Sequence, residues 1–156
     1  MPASSIVLDA NLLVLLIVGL ASPSYIPNHK RLRAFTVGDF LLLKDLLASA
    51  ESIVVTANSV TETSNLARQI AEPARTFVSR ILRELVIRAE TQELYIPSTQ
   101  AVEQAAFLRL GITDAAILDT LGPDNKLLTV DLDLYLEALR QGKVAENFTH
   151  YIEAAR

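Results

Sequence analysis

No cysteine occurs among the 156 residues, so neither a disulfide framework nor a thiolate metal site exists, and any bound metal must take oxygen ligands or one of the two histidines, His29 and His150. A hard cation is favoured. Low-complexity tracts and internal repeats are also missing, and charged residues at 21% against 51% hydrophobic exclude a disordered chain. Nor is there a basic excess: 14 Lys and Arg face 18 Asp and Glu, and the resulting net charge of −4 argues against a protein that coats nucleic acid over its whole surface. A local nucleic-acid site is compatible with that balance. The apolar run at 12–21 is ten residues long, against about 20 for a spanning helix, and it lies just behind Asp9 and Asn11. Met1 to Ser5 carries no basic side chain to begin a signal peptide. The expected location is cytoplasmic, with no membrane partner.

The length fits one domain over 1–156, with roughly two-thirds of the unfolded chain's surface buried. A mean hydropathy of +0.32 is high for a small protein and leaves apolar surface for a subunit interface, as in a homodimer. Eight of the 14 basic residues fall in two places: Lys30, Arg31 and Arg33, and the series Arg68, Arg75, Arg80, Arg83 and Arg88. The second series reads equally as a site or as the solvated face of a helix.

Hydrophobic periodicity predicts strands and helices in alternation. Residues 5–8 read as a strand ending at Asp9, and 12–20 as a helix buried on most sides. Residues 21–36, with Pro23, Pro27 and the first basic cluster, read as a loop or lid. Thr36 is placed to cap a helix over 37–50, and 52–56 reads as the second strand. Asn58 is the expected cap of a helix over 59–68, and Pro73 opens a long amphipathic helix running to about residue 93. Residues 94–96 suggest a short strand, and Ser98 caps a helix through Leu108 that Gly111 stops. Thr113 is the expected cap of a helix over 114–121, closed by Gly122 and Pro123. A strand at 126–130 and a helix at 132–140 complete the pattern. Such alternation implies an α/β fold with a mainly parallel sheet covered by helices on both faces, and ligands then sit at the carboxyl ends of the strands.

The acidic residues fall at that edge. Asp9 ends the first strand, Glu62 lies in the helix after the second, Asp114 opens a helix and Asp131 follows a later strand. Carboxylates brought together raise one another's pKa and require a cation. Mg²⁺ or Mn²⁺ suits an all-oxygen site that binds through a few carboxylates and a substrate phosphate.

Four segments in order resemble the motifs of the PIN-domain family. They are Ile6-Val-Leu-Asp-Ala-Asn-Leu-Leu13, Asn58-Ser-Val-Thr-Glu-Thr-Ser-Asn-Leu66, Leu110-Gly-Ile-Thr-Asp-Ala-Ala-Ile-Leu118 and Leu127-Leu-Thr-Val-Asp-Leu-Asp133. Each is weak alone, whereas their joint occurrence covers nearly the whole chain. The resemblance implies a three-layer α/β/α fold and a Mg²⁺- or Mn²⁺-dependent endoribonuclease in which Asp9, Glu62, Asp114 and Asp131 are the catalytic, metal-holding acids. It further implies that Asn11 and Thr129 orient them and that Asp133 is a fifth acid of the metal site, although Asp133 equally suits the dipole of a helix start. It also points to a VapC-type toxin that cleaves RNA and is blocked by an antitoxin protein. The loop at 21–36 is longer than in the smallest members of that family.

Taken singly, each acid has a plainer reading. Asp114 serves a helix start, and Glu62 a solvated helix face or a cap. Asn11 equally caps a helix. Asp9 is different, because an unpaired charge beside Leu8 costs several kcal/mol, so something must compensate it. Lys30, Arg31 and Arg33, with His29, are either an RNA contact or an exposed loop. Tyr25, Phe35 and Tyr135 suit packing better than base stacking, and His150 has no ligand partner at suitable spacing. The competing functions are a non-catalytic RNA- or protein-binding module on the same fold, and a free-standing RNA-processing nuclease. Aspartyl-phosphate hydrolases need a second Asp two residues after the first, where this chain has Asn11.

Overall fold

The computed structural model describes residues 5–156; the stretch before Ser5, where a signal peptide would begin, lies outside the described residues. Five parallel strands form one sheet in the order β3-β2-β1-β4-β5, with β1 Ser5–Leu8, β2 Ile53–Thr56, β3 Thr91–Leu94, β4 Asn125–Thr129 and β5 Ala145–Asn147. The fold is therefore α/β, as the alternation implied, and every strand pair is parallel.

Strand side chains alternate between faces, and the central strands are apolar on both. Ile6, Leu8, Val55 and Leu128 join one cluster, with helix α1 (Ala10–Ala21), α2 (Val37–Ala48), α4 (Ala74–Ile87) and α9 (Phe148–Ala155). Val7, Val54 and Leu127 point the other way, to α7 (Ile112–Thr120) and α8 (Leu132–Arg140). Helix α1 explains the ten-residue apolar run: Leu12 through Gly19 are all buried in that helix. Among the described residues no helix is long and apolar enough to cross a membrane.

Several boundaries differ from those read in the sequence. Helix α3 (Ala57–Ala67) is capped by Thr56, whose Oγ1 accepts from the Ser59 amide at 3.0 Å, so Asn58 lies inside the first turn. Helix α4 stops at Ile87, and Thr91 to Leu94 instead pair with β2 in the register Ile53↔Thr91 to Thr56↔Leu94. The polar side chains of this partly exposed edge strand resemble the wet face of a helix, and main-chain pairing overrode that pattern. The expected helix from Ser98 through Leu108 is two single turns, α5 (Ser98–Ala101) and α6 (Phe107–Leu110). Between them the Gln104 side-chain carbonyl accepts from the Ala106 amide at 3.2 Å and closes a turn. Strand β5 and α9 were not foreseen; Asn147 ends the first and caps the second, its side chain accepting from the Thr149 amide at 2.9 Å.

The loop at 21–36 is compact. Residues Pro23–Asn28 form a 3-10 turn, and Ile26 and Leu32 are buried beneath it. His29 is also buried: its Nε2 donates to the Ala67 carbonyl at 3.0 Å, while Nδ1 accepts from the Arg31 amide at the same distance. It pins the loop to the end of α3, so neither a metal ligand nor an exposed RNA contact is available from this histidine.

Candidate metal centre

The chain runs outward from β1 to β2 and β3, then returns to place β4 on the other side of β1. This makes β1/β4 the topological switch point, where a crevice opens beyond the carboxyl ends of the strands. Asp9 follows Leu8 of β1, and Asp131 lies two residues past Thr129 of β4, the two strands being paired at Leu8↔Leu128. Helices α3 and α7, which touch each other, bring Glu62 and Asp114 to the same crevice. The resulting cavity of about 200 Å³ is lined by Asp9, Asn11, Glu62, Asp114 and Asp131, and closed on one side by residues 110–113.

Asp9 is only 4% exposed. Its Oδ1 accepts from the Leu12 amide at 2.8 Å, capping α1; its Oδ2 accepts from the Val130 amide at 3.1 Å and from the Thr129 hydroxyl. These bonds compensate the charge that had no partner evident in the sequence. Burial nevertheless pushes the Asp9 carboxyl above its ordinary pKa, against the lowering effect of the Thr129, Leu12 and Val130 donors. A carboxylate offers about four lone-pair positions, so one remains for a ligand in the cavity. Thr129 is also buried and accepts from the Asp131 amide at 3.0 Å, which makes it the joint between the two acids.

Asp131 caps α8 through Oδ1, which accepts from the Leu134 amide at 3.0 Å, and its second oxygen takes no part in that cap. Asp114 is half-buried in the first turn of α7. Burial first, and then the negative charges of Asp131, Asp9 and Glu62, push its pKa up to about 7, with no hydrogen bond to offset them. The turn that delivers it differs from the expected one. Thr113 caps nothing; α7 begins at Ile112 because Gly111, at φ +90°, adopts a backbone conformation that side chains resist, and its carbonyl accepts from the Ala115 amide at 3.1 Å. Glu62 stands exposed on α3 at the cavity mouth.

The other sequence candidates divide. Asn11 lines the cavity, while Asp133 is exposed in the first turn of α8 and does not line it. Lys30, Arg31 and Arg33 are exposed and also lie off the cavity. Tyr25 and Phe35 pack against the larger core cluster, and Tyr135 meets His150 edge to face at 5.8 Å, so packing accounts for all three. The wall at 110–113 was legible only as part of a motif.

The donor set of this cavity, four carboxylates with neither thiol nor imidazole, suits a hard divalent cation. Among the described residues, however, no three His, Asp or Glu side chains stand close enough together to hold an ion between them as placed. Comparison with family models, curated proteins and solved structures found no match to this chain.

Proposed function

We propose that the chain is a Mg²⁺- or Mn²⁺-dependent endoribonuclease that hydrolyses RNA phosphodiester bonds at the acidic cavity. One observation carries this reading: four carboxylates from distant parts of the chain line one cavity, where burial and then the negative charge of the other three raise Asp114 to a pKa of about 7. A protein gains nothing from such crowding without a counter-charge. The order of the four motifs and their resemblance to the PIN-domain family supply the nucleic-acid substrate.

In this reading Asp9, fixed by its three donors, and Asp131, fixed by its cap, form the rigid part of the ligand set. Asp114 and the exposed Glu62 are the adjustable part, and at least one of them must turn inward for three acids to share an ion. A bound divalent cation would supply charge stabilisation at the phosphate and lower the pKa of water. Glu62, at the mouth, would accept a proton from an attacking water. Thr129 acts through Asp9 and Asp131 as a positioning residue. The family resemblance extends the proposal to a toxin whose antitoxin covers the acidic cavity and to a homodimer.

The test is incubation of the purified chain with defined RNAs under Mg²⁺, Mn²⁺ or EDTA, beside Asp9→Asn and Asp114→Asn. Cleavage with either ion, lost with EDTA and in both variants, is the expected outcome. Binding without cleavage under any divalent ion would instead establish a non-catalytic module.

A further inference from the structure

A second cavity, of about 320 Å³, lies where α3 gives way to α4, and its charge is opposite to that of the first. Arg68, Arg75, Arg80 and Arg83 line it, with Glu72 as its only acid. Among the described residues none of the four guanidinium groups is in a salt bridge. Glu72 accepts from the Thr76 amide at 2.8 Å and from the Thr76 hydroxyl; these bonds, and after them the charges of Arg75 and Arg68, hold its carboxyl below the ordinary pKa, so it offsets one of the four positive charges. Four cations against one acid leave a local excess of three positive charges around a concave site, although the protein as a whole carries −4, and such a site attracts an anion.

Two of these arginines are also held in place. Arg75 is half-buried, and its Nε donates to the Ile70 carbonyl at 3.1 Å, leaving both terminal nitrogens for a ligand. Arg80 lies over the Phe77 ring at 5.8 Å. A guanidinium fixed in this way loses less freedom on gripping a phosphate, whose oxygens match its fork.

A trough along α3 extends the acidic cavity toward the end of that helix, where Arg68 stands. Asn58, Thr61, Glu62 and Asn65 of α3, with Thr113, line a trough that shares Glu62 and Thr113 with the acidic cavity. Arg68 follows Asn65 by three residues, one turn further along the same helix face. From Glu62 to Arg68 the helix rises about 9 Å. A positive end, a middle of neutral amides and hydroxyls, and an acidic end suit a polymer whose phosphates alternate with uncharged sugars and bases.

We infer that the arginine cavity is a phosphate-binding subsite for single-stranded RNA, holding the backbone a short distance from the segment that lies in the acidic cavity. This rests on the ribonuclease reading for the second segment, though not for the binding itself. The experiment measures anisotropy of a fluorescein-labelled single-stranded oligoribonucleotide against the purified chain in EDTA, over a salt series. The variants are Arg75→Gln with Arg80→Gln, Arg68→Gln with Arg83→Gln, all four together, and Lys30, Arg31 and Arg33→Ala as the control cluster. The fourfold variant should bind at least about tenfold more weakly at low salt, and the slope of log K against log salt should flatten by about 0.7 for each phosphate no longer neutralised. Each double variant should show part of that flattening, which keeps the test alive if the fourfold variant unfolds, and the control cluster should leave the slope unchanged. An unchanged slope in both double variants, or equal binding of polyglutamate, overturns the subsite. Metal-dependent cleavage with an unchanged slope rejects the subsite alone; arginine-dependent binding without cleavage supports it and rejects the nuclease.

Discussion

Replacing Asp114 by Asn should stabilise the metal-free protein at pH 8 while abolishing cleavage. The carboxyl is raised from 3.8 to about 7, a difference equivalent to about 4 kcal/mol if fully expressed. Asp114 is only half-buried, and screening by solvent reduces this to about 1–2 kcal/mol. For a chain of this length that corresponds to about 2–8 °C in Tm. Between about pH 4 and pH 7 the folded state holds a proton at Asp114 that the unfolded state has released, so stability falls as pH rises through this window and levels off above it. Asn at 114 removes that fall, while the contribution of Asp9, raised in the same sense, stays common to both proteins. Thermal melts followed by circular dichroism in EDTA at pH 5 and pH 8 read the difference directly. Adding Mn²⁺ at about a hundred times its Kd should then stabilise the native chain by about 2.7 kcal/mol, and the variant by less. Equal or lower stability of Asp114→Asn at pH 8 in EDTA would refute the idea that crowded charge burdens the empty cavity.

Thr129→Val keeps the shape of a buried side chain while deleting a donor to Asp9 and the acceptor of the Asp131 amide. A loss of about 2–4 kcal/mol in urea unfolding and a weakening of Mn²⁺ affinity of about 10–100-fold by calorimetry are expected; native affinity would remove Thr129 from the site. Gly19→Ala places a methyl 2.2 to 2.5 Å from ring carbons of Phe40, itself buried between α1 and α2. Overpacking of about 1–3 kcal/mol should outweigh the gain of about 1 kcal/mol that Ala brings to a helix, and Phe40→Leu should recover part of the loss in the urea midpoint. Gly111→Ala forces a side chain into a conformation near φ +90°, at a cost of about 1–3 kcal/mol. Because that turn delivers Asp114, cleavage should fall further than stability alone accounts for when both are measured at one temperature.

The parallel sheet was legible because its central strands are apolar on both faces: Ile6 to Leu8, Ile53 to Val55 and Leu127 to Leu128 read as strands from composition alone. The edges were not. Strand β3 carries Thr91, Gln92 and Glu93, and β5 carries Glu146 and Asn147, so neither has an alternation to detect; only their pairing partners define them. Caps were misplaced where two candidates stood close together. Thr56 and Asn58 both suit an N-cap, and the choice was set by where β2 ends. His29 was misleading for a related reason, since burial beneath a loop depends on the Ala67 carbonyl, 38 residues away. The four acids that line the cavity were foreseen from their positions after strands and at helix starts, whereas the separation of Asp133 from them depends on which way the first turn of α8 faces.

The arrangement of the acids follows from the same helix starts that hold the fold together. Asp9 and Asp131 are N-caps of α1 and α8, and each satisfies a backbone amide that would otherwise lack a partner. Replacing either therefore disturbs a helix as well as a site, and a loss of activity at those positions alone does not separate the two roles. Asp114 caps nothing, and every interaction that shifts its pKa opposes its charge. Its structural use is confined to the first turn of α7, where the helix dipole favours an acid, so a stabilising effect of its removal, coupled to loss of cleavage, would distinguish a carboxylate kept for an ion from one kept for the fold.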